Sequence, residues 1–343
     1  MDLILPNSLS ALREDETFTR HNITIDPEAF LAVIRHAELG CRMGGEGQYF
    51  HNNVDKQSFE QLIPEDSALY DVFLLCFKDI GDHAWSFVPG IAMIRAMGPE
   101  LAQFAKLSDE FLRTAVRIMN ADTDFDNALE LLSCCQEFVD ECRVFEQFIH
   151  RLFDRIVEYR VFADQDGSRI KELNTRWDKV FPSRDVLGAR VTEKMMSLVQ
   201  RVNAAAPTYS VWDRFFNSEE VAANTENYKR SAEKQIAELT QWQAGLEDVY
   251  SRMTSIDKTI DLSLESTMSC ERSLEQLKLA IGTIITDAER FAGSINTVVE
   301  RLGNDMSDLE ILMQISTADV QSARETWGAM RELSERLASM LSG

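Results

Sequence analysis

The sequence predicts an all-α protein built on two long helices that flank a short aromatic-rich interruption. Three observations carry that expectation. From Ser218 to Gly343 there is no proline, and apolar residues recur at steps of three and four almost throughout. From Asp126 to about Val180 proline is absent again, and a second stripe has the same spacing. The whole chain is poor in breakers, with 15 Gly and 7 Pro in 343 residues, and rich in Leu, Ala, Glu, Met and Arg.

In chain order, residues 1–26 read as irregular and charged. Asp26-Pro27-Glu28 places an N-cap before a proline at the first helical position and opens a helix through Phe30, Ile34 and Leu39, closed by Gly40. The glycines of Met43–Gly47 and the polar stretch to Ser58 read as a loop; they lack the GxxxxGK[ST] pattern of a phosphate cradle. A helix is expected from about Pro64 through Phe73, Phe77 and Ile80, with Gly81 as a break or bend. Another follows from His83 to Met97, and Gly98-Pro99 divides it from a further helix over Leu101–Met119. Asp122-Thr-Asp-Phe-Asp126 starts like a calcium loop. Asn127 stands where its glycine belongs and Ser133 where its last glutamate belongs, so helix capping is the better reading. The first long helix then carries Leu129, Leu132, Cys135, Val139 and their successors to Trp177, with Gly167 as a candidate bend.

Phe181-Pro182 ends that helix. Val186 to Val202 reads as a shorter amphipathic helix through Leu187, Val191, Met195 and Leu198. Ala204 to Phe216 is apolar and aromatic, and Asn217-Ser218-Glu-Glu caps the last long helix. Two helices joined this way are expected to run antiparallel as a coiled-coil stalk with the interruption at its tip. On this reading the first forty or so residues of the last third pair with the Leu129–Trp177 stripe, and Leu274 onward supplies closing helices.

Composition excludes several function classes. A net charge of −22 with no basic cluster argues against nucleic acid and against simple adsorption on anionic lipid. No apolar run reaches the roughly 18 residues of a spanning helix, and Met1–Asn7 lacks the basic and apolar regions of a Sec signal. The expectation is a protein made soluble in the cytoplasm. Six cysteines without CxxC or Cys/His spacing read as buried, reduced thiols. GxSxG, HExxH, Walker and dinucleotide patterns are all missing, so no enzyme is expected, and no catalytic, cofactor or metal site. Glu146, His150, Asp154 and Glu158 repeat at four-residue spacing but read as a solvated charged stripe, and His83 as a satisfied core histidine.

The stretch Lys78 to Ala105, with His83-Ala84-Trp85, spaced aliphatics from Ile91 and then Leu101-Ala-Gln-Phe104-Ala105, resembles the α-xenorhabdolysin family of two-component α-pore-forming toxins. The single residue between His83 and Trp85 is shorter than the family's gap. Arg155–Arg160, Leu187–Lys194 and Ala323–Met330 are similar in character. The resemblance implies a helical tail bundle, a stalk and a head that meets the membrane. Its division of this chain is 1–125 and 266–343 for the tail, 126–176 and 218–265 for the stalk, and 177–217 for the head. Trp177, Phe181, Val211, Trp212, Phe215 and Phe216 would then face lipid, because aromatic side chains favour the membrane interface. The alternative is that they pack the turn of the hairpin. A second toxin component of similar helical fold is implied as partner, with hetero-oligomerisation on the target-cell membrane after release. The early element resembles the A component more than the B component, and the length is nearer B. The competing reading is an intracellular coiled-coil scaffold or adaptor that binds partner helices.

Overall fold

The computed structural model describes residues 27–44, 49–119, 125–210 and 218–304, with residues 331, 334–335 and 338–339 near the C-terminus. In chain order the helices are α1 (Pro27–Gly44), α2 (Tyr49–Asn53), α3 (Lys56–Leu62), α4 (Leu69–Ser86), α5 (Val88–Met119), α6 (Phe125–Val180), α7 (Arg184–Ala204) and α8 (Ser218–Asn304). No strand occurs among the described residues, and the all-α class holds.

Both long helices bury a strict heptad seam. On α6 the buried positions run Leu131, Cys135, Phe138, Cys142, Phe145, Ile149, Leu152, Ile156, Tyr159, Ala163, Asp166, Ile170, Leu173 and Trp177. On α8 they run Leu246, Val249, Met253, Ile256, Ile260, Ser263, Thr267, Cys270, Leu274, Leu277, Ile281, Ile284 and Ala288. Alternating steps of three and four are the pattern of helices that coil on a partner. The expected α6 seam began on the wrong face, since Leu129 is 44% exposed. Gly167 does not interrupt α6, and α8 runs without a break into the stretch from Leu274 that was expected to form separate closing helices.

The chain divides into two units. One gathers the chain up to Cys41, Asp82–Gly167 and the chain from Glu265; the other gathers Arg42–Gly81 and Ser168–Leu264. Arg42–Gly81, expected in the same part as α5, thus belongs with the region around Trp177.

In the first unit α6 and α8 are antiparallel, with Arg160 Nη1 2.5 Å from Glu275 Oε2 and His150 Nε2 3.3 Å from Glu289 Oε1. Helix α1 lays Phe30, Val33, Ile34 and Ala37 into their core, and α5 adds Ile94, Met97, Leu101 and Phe104. Phe104 stacks on Phe145 at 4.2 Å and Phe111 on Phe138 at 4.5 Å. Pro99 does not divide α5, although an interior proline costs about 3 kcal/mol. Met97 and Leu101, both buried on either side of it, hold one face continuous. A Cβ on Gly98 would lie 2.6 Å from the backbone nitrogen of Ala338, so the glycine there serves close packing.

A buried polar layer interrupts the seam of this unit. His36 Nδ1 lies 2.8 Å from Tyr159 Oη and Nε2 lies 3.1 Å from Thr267 Oγ1, linking α1, α6 and α8. His83 Nδ1 lies 2.8 Å from Asp166 Oδ1, and its ring stacks on Phe162 at 4.3 Å. The expectation of a satisfied histidine at 83 is met by that pair. Polar side chains in an otherwise apolar seam fix register, because any slip leaves them buried without partners.

In the second unit two short helices stand where a loop was expected. Asp55 caps α3 by accepting the Ser58 N–H at 2.9 Å, and Phe50 and Phe59 are buried. Aromatic burial here outweighs the polar composition of the segment. Helix α4 starts at Leu69 rather than at Pro64 and runs unbroken through Gly81. Gly81 faces Gly44, where a Cβ on either residue would come within about 2.2 Å of the other's Cα. The expected stop at Gly40 is overrun because Met43, beyond it, is buried and accepts from Ser263 Oγ at 3.0 Å.

Candidate membrane-proximal hairpin

The junction of α6 and α7 is built on Trp177. Its side chain is fully buried, its indole N–H donates to Asp257 Oδ1 at 2.7 Å, and Phe181 stacks on it at 4.3 Å. Phe73 meets the ring edge-on at 5.2 Å, and Phe181 in turn stacks on Tyr250 at 5.3 Å. Burial raises the Asp257 carboxyl above its ordinary range, and the Trp177 N–H opposes that shift. Arg176 closes the cluster from outside, giving Asp66 two hydrogen bonds of 2.6 Å that hold its carboxyl low. Ser183 then caps α7, its Oγ accepting the Val186 N–H at 3.3 Å.

Helix α7 runs antiparallel to the first part of α8. Lys194 Nζ sits 3.7 Å over the Trp242 ring, and the Tyr228 hydroxyl donates to the Val202 carbonyl at 3.0 Å. That carbonyl is among the last four of α7, which have no partner within their own helix. Arg190 ties α7 to α3 through the Leu62 carbonyl at 2.8 Å and Glu65 Oε1 at 2.5 Å.

This pairing corrects the expected register. The first arm of α8 faces α7, not α6, and α6 meets α8 only from the level of Tyr250 and Asp257 onward. Apolar periodicity alone fits several registers; the Trp177–Asp257 hydrogen bond and the Arg160–Glu275 pair select this one.

Of the residues expected at lipid, Trp177 and Phe181 pack against their own unit in this structure. Val211, Trp212, Phe215 and Phe216 lie outside the described residues. On α7 Met195, Met196 and Val199 form a face that is about half exposed, and of these only Met195 lies on the stripe expected to be buried. Leu187 and Leu198 are the buried positions. The adjacent pair Met195-Met196 was the available signal, since two neighbours on a helix lie 100° apart and a narrow seam cannot bury both.

Burial pushes the thiols of Cys135 and Cys142 up to about 12, far from a reactive thiolate, and no cluster of potential metal ligands occurs among the described residues. No described helix is long and apolar enough to cross a membrane.

No protein-family profile and no curated protein matches the chain. Solved structures do. The SmhB pore of the tripartite α-pore-forming toxin Smh, from Serratia marcescens, is similar with a TM-score of 0.53 at 9% identity, over 92% of this chain and 99% of that one. The HblL1 toxin component of Bacillus cereus is similar with a TM-score of 0.50 at 9% identity, over 97% of this chain and 96% of that one. XaxA from Xenorhabdus nematophila covers 91% of this chain and 96% of its own at 12% identity, but its TM-score of 0.47 is too low to carry weight. The chain has the helical fold of α-pore-forming toxin components. At these identities the likeness speaks for the fold alone.

Proposed function

We propose that the chain is a subunit of a multi-component α-helical pore-forming toxin, released from its cell and assembled with a second helical component on a target membrane. The supporting observation is the extent of the fold match, which covers nearly all of this chain and of the SmhB pore chain rather than a shared helical hairpin. Residues 177–217 are the segment that meets lipid in this reading, with Val211, Trp212, Phe215 and Phe216 leading and the exposed face of α7 beside them. Oligomerisation then lines a pore with amphipathic surface, so that no single chain needs an apolar span.

Dye release from liposomes and lysis of erythrocytes test this, with the chain alone and with the product of a neighbouring gene for a second helical protein. Leakage that requires the pair is the expected result. No leakage in either arm, together with no binding to liposomes, would leave the scaffold reading in its place. Replacing Trp212, Phe215 and Phe216 by serine is expected to abolish liposome binding with helix content unchanged; a loss of helix content would assign those aromatics to packing instead.

A further inference from the structure

Beside α3, the early part of α8 walls a cavity of about 290 Å³. Ser58 and Gln61 contribute from α3, and Gln241, Trp242 and Gly245 from α8, with Glu238 at one end. Leu246 and Val249, both buried, also line it. It is an open groove, with Gln61, Glu238 and Gln241 on its exposed side and Leu246 and Val249 as its apolar floor.

The chemistry of the lining narrows the ligand. Two amides, a hydroxyl and a carboxylate supply donors and acceptors in a mixture that suits hydroxyl groups, each of which both donates and accepts. Trp242 adds an aromatic surface. Lys194 already occupies one face of that ring and does not line the cavity, so the ring offers the cavity its other face or its edge. Glu238 is the one charged lining residue, and the two nearby ammonium groups are engaged elsewhere, Lys234 4.0 Å from Glu238 and Lys194 over the Trp242 ring, so a neutral ligand suits the site better than an anion. Gly245 is exposed, and a Cβ there would meet nothing within 4 Å, so a larger side chain at this position has room to enter the space. A flat ring with apolar C–H faces and a hydroxyl rim fits all of these features.

We propose that this cavity binds a neutral hexopyranose. The assignment stands on the cavity alone; only its use as an attachment point on a target cell rests on the pore-forming reading. The same sugar chemistry is found free, or displayed on a lipid, and the test separates the two. Saturation-transfer NMR of the full chain with methyl glucoside, methyl galactoside and methyl mannoside is expected to show transfer to at least one of them. Gly245→Met, which fills open space on a helix, is expected to abolish that transfer with an unchanged circular dichroism spectrum. Gly245→Ala serves as the folding control and is expected to retain it. Flotation with phosphatidylcholine vesicles, with and without glucosylceramide or galactosylceramide, then reads whether a lipid-borne sugar is bound. Absence of transfer with all three glycosides, or transfer that survives Gly245→Met, overturns the proposal. Sugar binding with no leakage either from the chain alone or from the chain with the second component keeps the site and removes the toxin reading.

Discussion

At Gly44 and Gly81 the backbones of α1 and α4 touch, and neither can carry a side chain. Gly81→Ala would set a Cβ 2.2 Å from the Gly44 Cα, against backbone that cannot rotate away. A loss of about 1–3 kcal/mol is expected, read as a lower urea midpoint at unchanged slope. Gly188→Ala is the contrast. Its Cβ meets nothing within 4 Å, so the helix propensity of alanine should stabilise by about 1 kcal/mol. The sequence showed both residues only as glycines within helical stretches, and suggested a break at Gly81. Which glycine serves a crossing is decided by a residue far away in the chain.

His36 carries a pH dependence whose sign follows from burial. Its pKa falls from 6.5 to about 4 because the packing of α1, α6 and α8 around it excludes water from the charged ring. The unfolded chain therefore binds a proton between those values that the folded chain does not. Stability is fully present above pH 6.5 and is lost as pH falls toward 4, by about 3 kcal/mol for this group. Facing groups are the Tyr159 and Thr267 hydroxyls, with Cys41, Cys270 and Asp166 around Tyr159. His36→Gln is expected to cost stability at pH 7 and to lose less than the parent between pH 7 and pH 5. Parallel loss in the two proteins would mean that other groups carry the dependence.

Among the elements, α7 and α8 are tied by the Lys194–Trp242 and Tyr228–Val202 contacts, so single substitutions there should be measurable. Removing the Tyr228 hydroxyl with phenylalanine leaves the Val202 carbonyl at the end of α7 without its partner and is expected to cost about 1 kcal/mol. Hydrogen exchange should rise first in the last turn of α7. Between α6 and α8, Trp177→Phe keeps the aromatic stack but deprives Asp257 of its donor. A loss of about 1.5–3 kcal/mol is expected, since the acceptor is a partly buried carboxylate. The Asp257 carboxyl should move further up, measurable by NMR titration. Helix existence was legible in periodicity for α6, α7 and α8, because a seam of three-and-four steps has few other solutions. The α2 and α3 helices were not, since Phe50 and Phe59 are single aromatics in polar surroundings. Their burial depends on Phe73 and Trp177, more than ten and one hundred residues away respectively.

For the whole molecule, the chain alone determined the helical class, the two long proline-free segments and the position of the interruption between them. All three come from local rules: spacing sets the apolar face, proline removes a donor, and serine or aspartate caps the helix that begins after it. Tertiary structure alone decided which stretch of α8 lies against α6, and where the chain divides. A heptad seam matches any other seam at every seventh residue, so periodicity leaves the register degenerate. The degeneracy is broken by polar pairs that only one alignment satisfies, among them His36 with Thr267, Arg160 with Glu275 and Trp177 with Asp257.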